Sequence, residues 1–195
     1  TGVQTCALPI WPDHEIIGHV LDLGCGPADI SIRFSNSYKQ CCVDGIDGSE
    51  VMLRYGRAAI AQHQLEKRIS LYQLYLPQQA LPRSDYDVVI SNSLLHHLHD
   101  PMVLWATIQK NAKQGAPVFI MDLLRPANKD EAQSLVDNYA GDEPEILRHD
   151  FYHSLLAAYS EKEVKQQLDS AGLGSFDVKV VSDRHITMSG LLTNC

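Results

Sequence analysis

The sequence predicts an α/β fold, a doubly wound and mostly parallel seven-stranded sheet with an antiparallel edge strand. Short strand patterns alternate with helical patterns along the chain. Several strands are continuous apolar runs, such as YDVVI and PVFIM, which are typical of parallel strands covered by helices on both faces. Repeated β–α units with right-handed crossovers build such a sheet, and its ligand crevice lies at the carboxyl ends of the strands.

Five of the strands are predicted from short segments rich in apolar and β-branched residues. These segments are residues 19–23, 41–46, 69–76, 86–90 and 117–121. The stretch FDVKVVSDRHITMSG has two further strand patterns on either side of Ser182 and Asp183. That arrangement predicts a hairpin at the edge of the sheet.

The helices between the strands have recognisable boundaries. Ser49 precedes the helical pattern EVMLRYGRAAIAQH as an N-cap, and Asp100 precedes a proline expected at the first helical position. Ser160 and Glu163 form a capping-box pattern before a later helix, which Gly172 ends.

One segment interrupts the alternation of strands and helices. Residues 129–158 carry two helical patterns with no strand between them, so residues 127–159 are predicted to form a helical insertion after the fifth strand. An insertion at this end of the sheet would lie over the ligand crevice and cap a substrate. Residues 1–195 are expected to form one domain, but residues 1–12 match no later pattern and are expected to be non-native or disordered.

Composition and charge exclude several classes of protein. A formal net charge of −8 argues against a broad basic face, so nucleic acid is not expected as a partner. No apolar run reaches the ~18 residues that a membrane span needs. The five cysteines include no CxxC pair, which predicts reduced thiols and a cytoplasmic location. The oligomeric state is left open.

The stretch VLDLGCGPADI places a glycine turn directly after the first strand. A dinucleotide fingerprint needs a third glycine, where this chain has Asp29, and a P-loop needs a Lys-Ser or Lys-Thr pair that is absent here. Asp47 ends the second strand 21 positions after Gly26, where an acid that binds ribose hydroxyls belongs. The pattern favours an adenosine with a free ribose and no pyrophosphate. A nicotinamide-dependent oxidoreductase is the more remote alternative.

Four motifs in the right order resemble the class I S-adenosylmethionine-dependent methyltransferases of the small-molecule branch, which have a Rossmann-like fold. VLDLGCGPA resembles their first motif, GIDGSEVML the acid loop, YDVVISNSLLHHLHDP the fourth-strand motif and GAPVFIMDLLRP the fifth-strand motif. The resemblance runs from about residue 20 to residue 190. It implies methyl transfer from S-adenosylmethionine to a small molecule by in-line displacement, with S-adenosylhomocysteine as the product.

The resemblance also assigns cofactor roles to residues near the strand ends. Gly24 and Gly26 would let the chain pass under the amino-acid end of the cofactor, and Asp22 would approach its ammonium group. Asp47 would bind the ribose. The other implied contacts are Cys25 in the turn, Gly48 and Met52 near the adenine, Tyr75 and Leu76 after the third strand, and Ser91 and Asn92 beside the methionine moiety.

Two departures from the family pattern leave another alternative open. After the third strand the family often has an acid that binds the adenine amino group, where this chain has Tyr75 or Leu76. Adenine recognition is then left to backbone groups or to the Tyr75 ring. Relatives usually carry one or two helices before the first motif, whereas only 19 residues precede Val20. The alternative is a truncated relative that binds the cofactor but is catalytically impaired.

Histidines are the candidate bases, because nitrogen and oxygen nucleophiles lose a proton before or during methyl transfer. His96 and His97 follow the fourth strand, where they either accept a proton or only pack, and His153 lies in the insertion. The run HHLHD is not expected to bind a metal, because its side chains would point in different directions. The candidate substrate contacts are Arg125, Tyr139 and Asp150.

Overall fold

The computed structural model describes residues 16–193 and contains a seven-stranded sheet. Its strands are β1 (Ile17–Leu23), β2 (Gln40–Asp47), β3 (Ile69–Gln73), β4 (Val88–Asn92), β5 (Pro117–Leu123), β6 (Asp177–Val180) and β7 (His185–Leu191). Their order across the sheet is β3-β2-β1-β4-β5-β7-β6. The expectation for residues 1–12 lies outside the described residues.

The pairing of the strands confirms the predicted fold class. Strands β1 to β5 pair in parallel, whereas β7 runs antiparallel to β5 and to β6. Strands β6 and β7 form the hairpin expected from the sequence, and β6 is the edge strand. The order reverses direction at β1 and β4, so the crevice between their carboxyl ends is the place where a ligand binds in such sheets.

Six α-helices and one 3₁₀ turn connect the described strands. They are α1 (Asp29–Ser37), α2 (Glu50–Gln62), the 3₁₀ turn (Leu95–His97), α3 (Met102–Asn111), α4 (Lys129–Ala140), α5 (Glu145–Ala157) and α6 (Glu161–Ser170). Residues 127–159 therefore hold two helices and no strand. Within residues 16–193, no helix has both the length and the apolar composition of a membrane span.

The helix caps follow the local sequence signals closely. The Ser49 hydroxyl accepts a hydrogen bond from the Met52 amide, and both bonds of the capping box of α6 are present. Helix α3 begins at Met102, one residue later than predicted, although Pro101 already has helical dihedral angles. The Asp100 carboxylate accepts from the Met102 amide at 2.9 Å, which is the contact expected of an N-cap acid.

Two strand ends differ from the prediction for reasons of pairing. Strand β3 ends at Gln73 and not at residue 76, because its partner β2 ends opposite it at Asp47. Strand β4 begins at Val88, two residues late, and the carboxylate of the preceding Asp87 accepts a hydrogen bond from the His19 amide at 2.8 Å.

Alternate residues of the central strands fill a core on each face of the sheet. Leu21 belongs to the cluster that includes Trp105 of α3, whereas its neighbour Val20 belongs to the cluster that includes Phe34 of α1. All four side chains are fully buried. Because both faces are covered, the strands have the continuous apolar sequences that predicted them.

The capping box of α6 generates a prediction about stability. Replacing Ser160 with alanine leaves the Glu163 amide without its side-chain partner, so the free energy of unfolding should fall by about 1 kcal/mol. Urea denaturation measures this difference. The control is Ser134→Ala within α4, where the hydroxyl only donates to the Asp130 carbonyl and alanine is the better helix former. Equal losses in the two variants would contradict the role of the cap.

Candidate active site

The carboxyl ends of β1, β2 and β4 border a cavity of about 690 Å³, called here the strand-end cavity. Ten of the eleven residues predicted to contact a cofactor line it. They are Asp22, Gly24, Cys25, Gly26, Asp47, Gly48, Met52, Tyr75, Leu76 and Asn92. Since these residues come from segments of the chain up to 70 positions apart, the fold brings the predicted set together at one place.

The glycine turn is attached to the end of the neighbouring strand β2. The Gly24 amide donates to the Ile46 carbonyl at 2.8 Å, and the Gly26 amide donates to the Asp47 carboxylate at 2.9 Å. Both glycines have positive φ, and a Cβ on Gly24 would lie only 2.8 Å from the Leu94 side chain. Glycine is therefore required at position 24 both for the backbone conformation and for the space.

The Asp47 carboxylate lines this cavity and still has free positions for accepting hydrogen bonds. One oxygen accepts from the Gly26 amide and the other from the Ser49 amide at 2.7 Å. A carboxylate has about four acceptor positions, so it can still accept from two hydroxyl groups of a ligand. Its position and orientation suit a ribose.

Asp22 lines the same cavity and has one buried carboxyl oxygen without a hydrogen-bond partner. Its side chain is almost fully buried, and one oxygen accepts from the Ser31 hydroxyl at 2.5 Å while the other has no hydrogen-bond partner among the described residues. Burial raises the pKa of Asp22 to about 7; the Ser31 hydrogen bond opposes this effect, and the charges of Asp29 and Asp47 add to it. An unsatisfied carboxyl oxygen in a ligand cavity is suited to a cationic donor such as an ammonium group.

The charges of the strand-end cavity favour a cationic ligand. Three acids line it, Asp22, Asp29 and Asp47, while no lysine or arginine is among its described lining residues. A pyrophosphate or a 2′-phosphate would be repelled by these carboxylates. A ligand that carries a sulfonium and an ammonium group matches the acids.

The outer end of the strand-end cavity is apolar. Met52, Leu74 and Leu76 line it, and the Tyr75 ring packs against the backbone of Gly48, where a Cβ would lie 3.0 Å from the ring. No acid from the segment after β3 lines the cavity, as the sequence indicates. An adenine here would lie between apolar side chains and an exposed aromatic ring.

Ser91 corrects one prediction. It was expected to face the cofactor together with Asn92, but it is buried and its hydroxyl donates to the Leu23 carbonyl at 2.7 Å. Successive residues of a strand point to opposite faces, and on β4 it is Asn92 that lines the cavity. Sequence reasoning missed the next residues, Ser93 and Leu94, which do line the cavity.

A second cavity of about 280 Å³, called here the insertion cavity, lies between the inserted helices and the ends of β4, β5 and β7. Its walls include apolar side chains of α5 and polar side chains near the strand ends. The lining residues are Ser93, His96, His97, Leu123, Tyr139, Ala140, Glu143, Leu147, Phe151, Ser154, Arg184 and His185. Ser93 and His97 also line the strand-end cavity, so the two cavities meet at these residues.

A buried acid organises the histidines of the 3₁₀ turn. Asp122, at the end of β5, accepts from the Leu95 amide at 2.7 Å and from the Leu123 amide at 2.7 Å. Its Oδ1 also lies 2.6 Å from Nδ1 of His96. The prediction missed Asp122, because an acid inside a buried strand carries no local signal of a partner 26 positions away.

His97 occupies a different environment from His96. Its ring lies beside the His96 ring, with 4.0 Å between the centroids. Desolvation by the cavity walls lowers the pKa of His97, and the neighbouring His96 lowers it further. Within residues 16–193 no three histidine, cysteine or acid side chains are grouped so that they could hold a metal ion.

Three predicted substrate-side residues lie away from both cavities. His153 and Asp150 are exposed on α5, where they lie near His149, and Arg125 is exposed and forms an ion pair with Glu163 of α6. For residues 150 and 153 the reason is the helical period, since the face of α5 that carries Phe151 lines the insertion cavity and these two residues lie off this face. These three predictions are wrong about the placement of the side chains.

Tyr139, a predicted substrate contact, lines the insertion cavity, but its polar group is already bound. The hydroxyl donates to the Asp183 carboxylate at 2.7 Å, and the Arg184 guanidinium lies 3.3 Å from the ring centroid. Arg184 also pairs with Asp183 at 2.9 Å. Tyr139 thus connects α4 to the loop between β6 and β7.

Comparisons of the sequence with known proteins agree with this geometry. A family model described as a methyltransferase domain matches residues 20–115. The trans-aconitate 2-methyltransferase of Delftia acidovorans is 29% identical over 158 residues, which cover 74% of this chain and 56% of that protein. The enzyme of the same name from Azoarcus sp. is 29% identical over 112 residues, 57% of this chain and 40% of that protein. The chain spans about half the length of the curated relatives it matches.

Solved structures share the fold at low sequence identity. A SAM-dependent methyltransferase from Aquifex aeolicus has a TM-score of 0.66 and 20% identity, over 89% of this chain and 81% of that chain. The plantazolicin methyltransferase BpumL, in complex with a pentazolic desmethylPZN analog and SAH, has a TM-score of 0.71 and 13% identity, over 90% of this chain and 77% of that chain.

The region that the family model matches begins in β1 and ends after α3. It therefore includes the glycine turn, Asp47 and the 3₁₀ turn, which together form most of the strand-end cavity. These matches and the shared fold support assigning the chain to the class I S-adenosylmethionine-dependent methyltransferases, a family whose methyl donor is S-adenosylmethionine.

Proposed function

We propose that this protein transfers a methyl group from S-adenosylmethionine to a small-molecule acceptor. The observation that carries the proposal is the meeting of the two cavities at Ser93 and His97. A cofactor in the strand-end cavity and an acceptor in the insertion cavity would have their reacting ends at this junction. When bound, the cofactor supplies an activated methyl group on a sulfonium, and the protein has to align the acceptor with it.

The cofactor site would be built from the residues of the strand-end cavity. Asp47 would accept hydrogen bonds from the ribose hydroxyls, and Asp22 would accept from the ammonium group with its unsatisfied oxygen. Gly24, Cys25 and Gly26 would pass below the amino-acid end. The adenine would contact Gly48, Met52, Tyr75 and Leu76, and the methionine moiety would contact Asn92.

The acceptor would be a small molecule, because a cavity of about 280 Å³ is slightly smaller than the cavities that hold drug-sized ligands. The acidic net charge of −8 supports this class over a nucleic-acid acceptor. Trans-aconitate is a second candidate on the names of the curated relatives, and the observation in its favour is Arg184 in the cavity wall. A cytoplasmic location fits the free thiols of Cys25, Cys41 and Cys42 and stays a prediction.

The test combines cofactor binding with methyl transfer. Calorimetry with S-adenosylhomocysteine should give a measurable affinity, and NADH should give none. Transfer of tritiated methyl from S-adenosylmethionine to a panel of small acceptors then tests the reaction. Folded protein that binds NADH but not S-adenosylhomocysteine would contradict the proposal. Binding without transfer to any acceptor would favour the alternative of an impaired cofactor-binding relative.

Replacing Asp47 with asparagine should weaken the binding of S-adenosylhomocysteine by about 10- to 100-fold, because hydrogen bonds to a charged group are lost. Calorimetry measures the dissociation constant. The matched control is Asp130→Asn on exposed α4, which should leave the affinity unchanged. An equal affinity in the Asp47 variant, with an unchanged melting temperature, would contradict the ribose contact.

The affinity for S-adenosylhomocysteine should depend on pH through Asp22. The pKa of Asp22 is raised to about 7, so its carboxyl group is mostly protonated at pH 6 in the ligand-free protein. The ammonium group of the ligand needs the ionised carboxylate. Affinity should therefore rise about tenfold from pH 6 to pH 8. Below pH 7 binding should release a proton, which calorimetry in buffers of different ionisation enthalpy detects. The variant Asp22→Asn should show a flat profile, and a profile like that of the wild type would refute the assignment.

A further inference from the structure

We propose that His96 accepts a proton from the acceptor, that Asp122 positions His96 for this step, and that the acceptor is a small molecule with an ionisable O–H or N–H group. The inference rests on the proposed function and deepens it. It selects one of the two adjacent histidines as the base, and it selects protic acceptors over carboxylic acids.

The contacts of Asp122 determine which nitrogen of His96 carries a proton. A carboxylate accepts hydrogen bonds only, and Oδ1 of Asp122 lies 2.6 Å from Nδ1 of His96. The proton of neutral His96 is therefore on Nδ1, and the lone pair is on Nε2. His96 lines the insertion cavity, and Nε2 has no hydrogen-bond partner among residues 16–193. This nitrogen is the one available to an acceptor.

Asp122 is held too firmly to change its contact with His96. Its two oxygens also accept from the amides of Leu95 and Leu123, each at 2.7 Å. The acid and the imidazole are both nearly completely buried. A carboxylate fixed in this way keeps one tautomer of the histidine and stabilises the imidazolium that forms when Nε2 takes a proton.

His97 is the less suitable base, although it lines both cavities. It has no carboxylate within hydrogen-bond distance among the described residues, and the cavity walls and His96 lower its pKa. The two rings lie 4.0 Å apart, measured between their centroids, so a proton on one of them disfavours a proton on the other. A proton from the acceptor is therefore better stabilised on His96, and neutral His97 contacts the reactants at the junction.

The charges of the insertion cavity disfavour an acceptor with several carboxylates. Arg184 is the one lysine or arginine among the described lining residues, and its guanidinium already pairs with Asp183 and lies over the Tyr139 ring. Glu143 adds a negative charge, while the walls at Leu147 and Phe151 are apolar. A carboxylic acid is also ionised at neutral pH, so its methylation has no use for a base.

The proposed reaction moves one methyl group to the acceptor and one proton from the acceptor to His96. The lone pair of the acceptor oxygen or nitrogen forms the bond to the methyl carbon, while the carbon–sulfur bond breaks and its electron pair stays on sulfur. The O–H or N–H proton passes to Nε2 of His96, which becomes an imidazolium paired with Asp122. Water takes this proton after the methylated product leaves.

Nuclear magnetic resonance of the free protein tests the tautomer without any turnover. With ¹⁵N-labelled histidine at pH 7.5, the His96 ring should show a protonated Nδ1 and an unprotonated Nε2, and the His96→Asn spectrum assigns the signals. Asp122→Asn should shift the ring toward the common Nε2–H tautomer. An Nε2–H tautomer or an imidazolium in the wild type would overturn the inference.

Methyl transfer with three probes tests the catalytic role. Catechol and tryptamine are the protic probes, and trans-aconitate is the carboxylic acid. His96→Asn keeps an N–H that can reach Asp122 but removes the base. Methyl transfer to catechol and tryptamine should therefore fall at least 100-fold, while the affinity for S-adenosylhomocysteine should stay unchanged. His149→Asn on the exposed side of α5 is the matched control and should retain full activity.

Several results would separate the inference from the proposed function. Wild-type activity in His96→Asn, or a loss that occurs only in His97→Asn, would overturn the role of His96. Transfer confined to trans-aconitate would overturn the acceptor class and leave methyl transfer intact. Absence of S-adenosylhomocysteine binding by the wild type would defeat both, whereas binding with an Nε2–H tautomer would defeat the inference alone.

Discussion

The ligand end of this protein depends on the parallel pairing of β1 with β2, which sets Leu23 beside Ile46. Because the two strands end together, the Ile46 carbonyl accepts from the Gly24 amide and the Asp47 carboxylate accepts from the Gly26 amide. A slip of one residue in this register would turn the Asp47 side chain to the other face of the sheet. The glycine turn and the acid are therefore one structural unit, although 21 positions separate Gly26 from Asp47.

Three aspartates at strand ends have different properties because their surroundings differ. Asp122 accepts from two amides and from the His96 imidazole, so it acts as an anchor for the 3₁₀ turn. Asp47 is held by two amides but keeps free acceptor positions toward the strand-end cavity. Asp22 has one hydroxyl partner and one bare oxygen, and its burial favours the protonated form. The number of donors around each carboxylate therefore distinguishes three roles: Asp122 is an anchor, Asp47 is a candidate ligand contact, and Asp22 is a group that can exchange a proton.

The insertion cavity is assembled from parts of the chain that share no local pattern. One face of α5, with Leu147, Phe151 and Ser154, supplies the wall, while the 3₁₀ turn and the start of β7 supply polar groups. The contact between Tyr139 and Asp183 joins α4 to the loop between β6 and β7, 44 positions further along the chain. Loss of either segment would open the cavity, so its shape is a property of the tertiary fold.

The sequence by itself determined the sheet, the helix caps, the glycine turn and ten of the residues that line the strand-end cavity, because apolar runs, capping residues and turn glycines act on their own neighbourhood. Only the tertiary structure decided whether Ser91 or Asn92 lines the strand-end cavity, which face of α5 lines the insertion cavity, and which of the two histidines contacts Asp122. These choices depend on which side of an element meets a distant partner such as Asp122. A side chain's direction follows from the element it belongs to, but what it meets there follows from packing between elements far apart in the chain.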